Sequence, residues 1–431
     1  MDPRRLYAEK LASADEAVRL ISSDSDMAMG MAVAEPPAIL AALARRAEAG
    51  TLHDLRVWYL LSQSHAGSTI LRRDLLGAIR PRCIFMSGVE RKLIAADPTA
   101  AALIDFVPCA FSGSPRLLRD ELALDACVLT VSPMDEDGYF SFGVANDYTS
   151  VAAHCARTVI VEVNPAMPRV ACSTPLHVSQ VSAVVENAVP LLAFGEQAAA
   201  PEDEAIAAHI AALVDDGACL QMGIGNLPAA VCSRIGNRAD LGIHTELLTP
   251  PLAALAQSGA VTNRRKATHP GRSVYAFAMG DAPFYRWMDG NAQLYSLPVD
   301  VVNDPAEIGR NEHVVSVNAT IQVDLQGACN SEFMGGRQHS AAGGQLDFVR
   351  GAAASKRGVS VIACRSTAKG GTLSRIVPRL DGPVTTPRND VHWIVTEHGA
   401  ANLRGKSLHE RAELLIGLAD PKFRDELAKA L

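Results

Sequence analysis

One glutamate stands out as a candidate nucleophile. Glu246 follows a short apolar segment, and glycine-rich stretches occur on both sides of it in the sequence, at 221–228 and at 335–345. A carboxylate that attacks an acyl carbon needs backbone N–H groups to bind the oxyanion that forms, and glycine lets the backbone approach closely. The combination predicts covalent acyl chemistry on this carboxylate.

Each of these features also has an ordinary structural explanation. An acid at the end of a strand is most often a cap or an ion-pair partner, and Glu397 and Glu332 are rival candidates. The turn Gly223-Ile224-Gly225 can cradle a phosphate or an oxyanion, or it can be only a tight turn. Pro228 replaces the third glycine of a dinucleotide-binding pattern, and the sequence has neither a P-loop nor a serine-hydrolase elbow.

Apolar segments alternate with helical patterns along the chain, which predicts an α/β fold with mostly parallel sheets. The strand-like runs are 55–61, 126–131, 158–163, 359–363 and 391–396, and the helical stretches are 37–49, 205–214 and 407–418.

A weak internal repeat predicts two similar α/β domains. Residues 15–40 and 206–231 both read as helix, strand, Met-Gly and a proline-led helix, although two generic strand–helix units could coincide by chance. The polar stretch 197–204 is the predicted linker. Segment 316–375 mixes many glycines with Asn, Gln, Asp and Arg, which predicts a backbone-lined active-site floor, or otherwise a long surface loop.

Composition and charge narrow the class of protein. The 431 residues are 48% hydrophobic and 20% charged, which is typical of a globular protein, and the net charge of −7 without a long basic run argues against a nucleic-acid partner. No apolar run reaches membrane-spanning length and the first residues predict an amphipathic helix, so we expect a cytoplasmic protein with no membrane partner.

The nine cysteines include no Cys-x-x-Cys pair and lie mostly in apolar context, which favours buried reduced thiols. The histidines lack metal-ligand spacing, so no metal is expected.

Taken together, the motifs resemble the acetyl-CoA hydrolase/transferase family over nearly the whole chain. The branch they resemble is that of 4-hydroxybutyrate and butyryl-CoA:acetate CoA-transferases, which are class I CoA-transferases. The matching stretches are 131–144, 162–169, 223–228, 241–246, 323–327, 343–348, 374–378, 384–388, 395–397 and 403–407.

The resemblance implies two similar open α/β domains of the CoA-transferase (NagB/RpiA-like) type, at 1–195 and 205–431, the second carrying the catalytic residue. It implies Glu246 as the nucleophile in a His-Ser/Thr-Glu motif, with Glu397 as a supporting residue. It also implies coenzyme A as co-substrate and a homo-oligomer, for which closed symmetry is the general expectation. The implied CoA-binding residues are Gly223, Ile224, Gly225, Asn226, Leu227, Ile321, Gly343 and Gly344.

The activity that follows is that of a CoA-transferase of the EC 2.8.3 type. We expect a ping-pong mechanism through an acyl-glutamyl anhydride and a glutamyl-CoA thioester, with N–H groups near Gly225 and Gly344 as oxyanion donors. The acceptor could be 4-hydroxybutyrate, butyrate, acetate, succinate or itaconate, and the alternative activity is acyl-CoA hydrolysis. A ligand sensor on the same domain type would need an effector or DNA-binding segment, of which the sequence has no sign.

Two further expectations concern binding groups and pocket shape. Arg404 and Lys406 are candidates for CoA phosphates, and Arg72, Arg73 or Arg388 could bind the second carboxylate of a dicarboxylate acceptor. The sequence departs from the family at 247–251, where Leu-Leu-Thr-Pro-Pro replaces a Met-x-Ser-Asp-Gly continuation, and at 86–89, where Met-Ser-Gly-Val replaces an aromatic-Gly-Pro turn. Both departures are expected to reshape the acyl pocket and so to affect the choice of substrate.

Overall fold

The computed structural model describes residues 2–195 and 198–430 and divides the chain into two compact units. Unit 1 comprises Met1–Phe194 and Ala276–Val301, and unit 2 comprises Gly195–Tyr275 and Val302–Leu431. Within the described residues, no helix is both long enough and apolar enough to cross a membrane.

Unit 1 contains a sheet of seven parallel strands. In chain order they are β1 (Asp26–Met29), β2 (Leu55–Leu60), β3 (Ile79–Phe85), β4 (Asp105–Phe106), β5 (Ala126–Val131), β6 (Thr158–Val163) and β7 (Ala183–Glu186). Their order across the sheet is β4-β3-β2-β1-β5-β6-β7. All six residues of β5 are buried, as expected for a parallel strand covered on both faces. The strand order reverses between β1 and β5, at a topological switch point.

Helices cover this sheet and fill its core, in which Met27, Ile39 and Tyr59 are fully buried. Their bounds are Pro3–Lys10, Ala14–Ala17, Pro37–Glu48, Ser64–Ser68, Gly88–Ala96, Ser114–Arg116, Thr149–Cys155 and Ala282–Met288. Shorter 3₁₀ or π turns occupy Val18–Leu20, Ala32–Ala34, Arg73–Leu75, Pro98–Ala102, Phe111–Gly113, Leu117–Glu121 and Val178–Gln180. Two short strands, Tyr139–Phe140 and Leu176–His177, pair antiparallel outside the main sheet.

Residues 276–301 belong to unit 1, although the sequence predicted one continuous second domain over 205–431. The backbone bonds of this segment explain the difference. The carbonyl of Ala276 accepts from the N–H groups of Asn146 and Asp147 at 3.1 and 3.0 Å, and Ser296 N donates to Ala171 O at 2.9 Å. Such pairings join positions far apart in sequence, so no local pattern reveals them. Strand Ser273–Ala278 and helix Val299–Val302 span the two points of division, and strand Leu294–Ser296 lies between them.

Unit 2 has a related sheet topology. Six strands that lie wholly within it are β8 (Cys219–Met222), β9 (Gly242–Leu248), β10 (Val314–Ala319), β11 (Val359–Ala363), β12 (Trp393–Thr396) and β13 (Gly399–Asn402). They are neighbours in the order β9-β8-β10-β11-β12-β13, and only the last pair is antiparallel. As in unit 1, the first strand lies centrally, between the second strand and the strand that follows a long connection. This confirms the predicted fold class of two similar open α/β domains.

Three helices of unit 2, at Pro305–Gly309, Leu408–Leu418 and Pro421–Ala428, begin with a side-chain cap. In helix Leu408–Leu418, Ser407 and Glu410 bond to each other's backbone in a capping box. Helix Pro250–Gln257 begins with the double proline of the altered segment, whose missing N–H groups would have no helical partner in the first turn. The other helices are Pro201–Ala211, Asn226–Arg234, Pro305–Gly309, Gln345–Ala354 and Pro421–Ala428, and the short strands are Gln322–Asp324, Cys329–Asn330, Phe333–Met334, Arg337–Gln338, Thr367–Ala368, Leu373–Ser374 and Ile376–Val377.

The predicted linker 197–204 is wrong over its second half. Gln197 lies outside the described residues, but helix Pro201–Ala211 begins within the predicted segment. Proline is favourable at the first helical position, and Asp203 accepts from the N–H of Ala200 and pairs with Arg365 at 2.6 Å. The acidic residues that suggested a polar linker form the first turn of this helix.

Segment 316–375 is also more regular than predicted. It holds most of β10, all of β11 and helix Gln345–Ala354, so it is neither a continuous floor of backbone nor a long loop. Position 351, inside the helix, is glycine because a Cβ there would lie 2.6 Å from the Cβ of Ile308. Close packing of two helices therefore explains a glycine that the sequence suggested would break a helix.

Candidate active site

Glu246 lies near the carboxyl end of β9, where ligand sites of parallel α/β sheets are usually found. Its neighbours Thr245 and Leu247 are buried, whereas Glu246 itself is half-buried. Side chains alternate along a strand, so Glu246 shares one face of β9 with His244. The carboxylate is thus presented from a rigid central strand and remains within reach of solvent.

Asn303 contacts this carboxylate directly. Its Nδ2 donates to Oε2 of Glu246 at 2.6 Å, and the asparagine is fully buried. A hydrogen bond to an ionised carboxylate is stronger than one between neutral groups. The Oδ1 atom of Asn303 has no partner among the described residues, which leaves a buried acceptor next to the glutamate. The sequence analysis missed Asn303.

Gly344 provides the other wall around the carboxylate. A Cβ at this position would lie 1.9 Å from Oε2 of Glu246 and 2.1 Å from Nδ2 of Asn303. The φ of Gly344 is −100°, so glycine is needed here for space and not for an unusual backbone conformation. Gly343, by contrast, has a φ of +55°. The structure therefore brings one predicted CoA-binding residue, Gly344, against the predicted nucleophile.

Gly344 is also the residue at the start of helix Gln345–Ala354. The first N–H groups of a helix have no partner within the helix and lie at the positive end of its dipole. No side chain caps this end. The cap residue Gly344 thus adjoins the Glu246 carboxylate, whereas the N–H of Gln345 donates to Ala342 O at 3.4 Å.

The glycine turn of residues 223–227 follows the strand next to β9. In the β8–β9 register, Cys219 pairs with Gly242 and Leu220 with Ile243, and continuing this register places Gly223 level with Glu246. Gly225 has a φ of +114° and precedes helix Asn226–Arg234, which has no side-chain cap. The turn, with Gly223, Ile224, Gly225, Asn226 and Leu227, therefore lies with a helix N-terminus at the same edge of the sheet as Glu246.

Ile224 at the tip of that turn is 59% exposed, which is unusual for a large apolar side chain. Ile321 lies just beyond β10, the other neighbour of β8, so it is at the same edge of the sheet. Its N–H donates to Asn330 O at 2.9 Å, and its carbonyl accepts from Arg375. Both predicted CoA contacts are thus at the carboxyl ends of the central strands.

A buried polar network lies beneath the turn. Oε1 of Gln221 accepts from Oγ of Ser316 at 2.6 Å and from Nδ2 of Asn318 at 3.2 Å. Asn318 also donates to Ser316 at 2.9 Å. Because these side chains satisfy one another, they fix the ends of β8 and β10 relative to each other.

The rival glutamates are occupied by structural contacts. Glu397 accepts from the N–H and hydroxyl of Ser366 at 2.8 and 2.6 Å. Glu332 accepts from Thr385 and Gln338 at 3.0 and 3.1 Å. Both contacts tie one loop to another, as the structural explanation of an acid at a strand end predicts.

Four of the five predicted cations have side-chain partners. Arg72 pairs with Glu48 and Asp74, and Arg73 pairs with Asp97. In unit 2, Lys406 pairs with Glu410 at 3.4 Å and Arg388 bonds to Gln326. The contact of Arg404 with Asn402 is made by its backbone N–H and does not involve its guanidinium.

Six of the nine cysteines are buried, as their apolar context predicts, and the described residues contain no disulfide bond. Among the described residues, one group has the geometry of metal ligands, namely Asp24, His53 and Asp54 on the surface of unit 1. Asp54 also pairs with Arg80.

Comparison with known proteins identifies the family. The acetyl-CoA hydrolase/transferase N-terminal domain matches residues 1–194, and the C-terminal domain of the same name matches residues 280–431. The chain belongs to the acetyl-CoA hydrolase/transferase family. This confirms the resemblance drawn from the motifs.

Three relatives illustrate the match. The chain is 42% identical to a succinyl-CoA:cyclohexane-1-carboxylate CoA transferase of Geobacter metallireducens, over 98% of this chain and 95% of that protein. Crystalline RipA from Yersinia pestis is 54% identical, with a TM-score of 0.97 over 100% of this chain and 98% of that one. The 4-hydroxybutyrate CoA-transferase of Porphyromonas gingivalis is 34% identical, with a TM-score of 0.85 over 99% and 98% of the two chains. These matches confirm the predicted class of enzyme, a CoA-transferase, and its fold.

Proposed function

We propose that this enzyme transfers coenzyme A from an acyl-CoA to a small carboxylate, with Glu246 as the covalent nucleophile. The observation that carries the proposal is the packing around the Glu246 carboxylate. Nδ2 of Asn303 donates a hydrogen bond to Oε2 of Glu246. The same oxygen occupies the space that a Cβ at position 344 would fill, so that position must be glycine. An ordinary cap or surface ion pair would not require a glycine at that distance, whereas a nucleophile held in one orientation would.

The proposed reaction proceeds in two halves. A Glu246 carboxylate oxygen attacks the thioester carbonyl carbon, and the C–S bond breaks to give an acyl-glutamyl anhydride and the CoA thiolate. The thiolate then attacks the glutamyl carbonyl carbon and releases the first carboxylate, which leaves a glutamyl-CoA thioester. An incoming carboxylate repeats these steps in reverse, so that the free glutamate is regenerated and the new acyl-CoA departs.

The residues around Glu246 have distinct proposed tasks. Asn303 orients the carboxylate in the free enzyme through its hydrogen bond to Oε2. The N–H groups at the start of helix Gln345–Ala354, next to Gly344, and those of the turn at Gly225 stabilise the oxyanion of each tetrahedral intermediate. The turn of residues 223–227 and Ile321 bind coenzyme A, and binding energy from its distant nucleotide lowers the barrier at the thioester.

The acceptor is proposed to be a small organic acid, with 4-hydroxybutyrate, butyrate, acetate, succinate and itaconate as the panel to test. The names of the relatives extend this panel to cyclohexane-1-carboxylate. Water in place of the acceptor would make the enzyme an acyl-CoA hydrolase. Turnover that requires an added carboxylate supports transfer, and equal turnover without one supports hydrolysis.

The nucleophile is tested by kinetics on three variants. Glu246→Ala should lose CoA transfer while the thermal unfolding midpoint stays close to that of the wild type. Glu397→Gln and Glu332→Gln are matched controls, since both rivals bond to loop residues, and both should retain the ping-pong pattern of parallel double-reciprocal lines. An active Glu246→Ala enzyme, or an inactive but folded Glu397→Gln enzyme, would contradict the assignment.

A further inference from the structure

His244 contacts both segments that surround the Glu246 carboxylate. It lies two residues before Glu246 on β9 and is buried, with 1% of its surface exposed. Because residues i and i+2 of a strand point the same way, the two side chains lie next to each other on one face of the sheet. The histidine therefore lies behind the carboxylate.

The first contact is a hydrogen bond to the residue before Asn303. Nε2 of His244 lies 2.7 Å from the carbonyl oxygen of Val302. A carbonyl oxygen can only accept, so Nε2 carries the proton and Nδ1 does not. Nδ1 has no partner among the described residues. Burial, with Lys266 nearby, lowers the pKa of His244 to about 3, so the ring stays neutral at ordinary pH.

Val302 and Asn303 are consecutive, so β9 holds this piece of chain at two adjacent points. His244 donates to the backbone of Val302, and Asn303 donates back to Glu246. Val302 ends the short helix Val299–Val302, and Asn303 lies between it and helix Pro305–Gly309, which is capped by the side chain of Asp304. Without the bond from the histidine, the backbone that carries the Asn303 amide loses an anchor on the strand that carries the nucleophile.

The second contact is with the helix that begins at Gly344. The ring of His244 meets the ring of Phe348 edge to face, with centroids 6.4 Å apart. Phe348 is buried one turn into that helix, and its N–H donates to the carbonyl of Gly344 at 3.1 Å. The ring therefore packs between the segment of Asn303 and the helix end of Gly344.

We propose that His244 is a positioning residue that holds Asn303 and Gly344 against the Glu246 carboxylate, through its hydrogen bond to Val302 and its contact with Phe348. The inference rests on the proposed function of Glu246. It assigns no proton transfer to the histidine, since its Nε2 proton is donated to Val302 and the ring stays neutral. Its effect on turnover is transmitted through Asn303.

The test is a double-mutant cycle between His244→Phe and Asn303→Ala, read as kcat of CoA transfer. His244→Phe keeps an aromatic ring against Phe348 and removes the donor to Val302. Misplacement of a catalytic group by about 1 Å can cost roughly 100-fold, so we expect kcat to fall roughly 10- to 100-fold with a smaller change in the KM for acyl-CoA. The double variant should be at most about twofold slower than Asn303→Ala, because His244→Phe acts through the Asn303–Glu246 bond that Asn303→Ala already removes. His244→Gln places an amide donor at the same reach and should restore most of the rate.

The outcomes separate a positioning role from that of an ordinary core histidine. Multiplicative losses in the cycle, or a normal kcat in folded His244→Phe, would overturn the proposal. If His244→Phe does not fold, His244→Asn replaces it in the cycle, since its amide is too short to reach Val302. Borohydride trapping of glutamyl-CoA in the wild type is run alongside. Failure to trap it there refutes the proposed function itself, whereas successful trapping with an additive cycle refutes only the role of His244.

Discussion

The substitution Gly344→Ala tests the geometry of the site at its closest contact. The new Cβ would lie 1.9 Å from Oε2 of Glu246 and 2.1 Å from Nδ2 of Asn303. Since Cβ atoms essentially never approach other heavy atoms closer than 3.0 Å, at least one partner must move by about 1 Å. The carboxylate is the far end of a flexible side chain, so the fold can accommodate this shift more easily than the chemistry can.

The expected result is a large loss of rate with a small loss of stability. A displacement of about 1 Å from the reactive position can cost roughly 100-fold in turnover, so kcat should fall by about that factor. The φ of −100° is accessible to alanine, and the change of cap residue should alter the free energy of unfolding by no more than about 1 kcal/mol. The assay is kcat under saturating acyl-CoA and acceptor, with thermal unfolding measured on the same samples.

Gly417→Ala is the matched control. Gly417 lies in helix Leu408–Leu418 of the same unit, and a Cβ there meets nothing within 4 Å. This variant should keep the wild-type kcat and gain up to about 1 kcal/mol from better helix propensity. If Gly344→Ala turned over as fast as Gly417→Ala, the carboxylate would not lie where the structure places it.

Two further variants test a contact and a buried charge. Asn303→Ala removes a hydrogen bond to a charged group, worth about 1.5–3 kcal/mol, so kcat should fall roughly 10- to 150-fold in the same assay. The buried acid is Asp147 in unit 1, where burial raises the pKa of the carboxyl from 3.8 to about 7. Between these pH values the folded state therefore binds more protons than the unfolded state. The stability from the neutral acid is therefore present below pH 4 and lost as the pH rises to about 7, so the wild type should lose up to about 4 kcal/mol relative to Asp147→Asn over this range.

Each of these expectations can fail clearly. An Asn303→Ala enzyme with unchanged kcat would show that its contact with Glu246 has no catalytic consequence. For Asp147, the free energies of unfolding of wild type and variant are compared by denaturant titration at pH 5 and pH 8. A difference that is the same at both values would mean that the carboxyl titrates near its ordinary pKa in the folded protein.

The sequence predicted the strands well because they are buried on both faces. Runs 126–131, 158–163 and 359–363 coincide with β5, β6 and β11, whose near-continuous apolar residues leave little ambiguity. Glu246 was recognisable as an acid that follows a short apolar segment, although the strand continues beyond it to Leu248. Its choice over Glu397 and Glu332 came from the family resemblance, since all three look alike in an isolated sequence.

Asn303 could not have been found in the same way. It lies 57 residues from Glu246, and its local context, Asn303-Asp304-Pro305, leads into helix Pro305–Gly309 and gives no sign of a contact with Glu246. The role of residues 276–301 in unit 1 was hidden for the same reason, because it depends on pairings with residues such as Asn146 that are far away in sequence. Contacts of this kind are set by tertiary packing, and one sequence carries no local signal for them.

The central claim, that Glu246 becomes covalently attached to coenzyme A, is tested most directly by peptide mass spectrometry. The enzyme is mixed separately with succinyl-CoA, butyryl-CoA and acetyl-CoA, with and without borohydride, and the peptide that contains Glu246 is analysed. We predict a CoA adduct on that peptide that disappears on addition of a carboxylate acceptor, and conversion of Glu246 to the corresponding alcohol by borohydride. CoA transfer between these substrates with an unmodified Glu246 peptide, or with the adduct on another residue, would contradict the account.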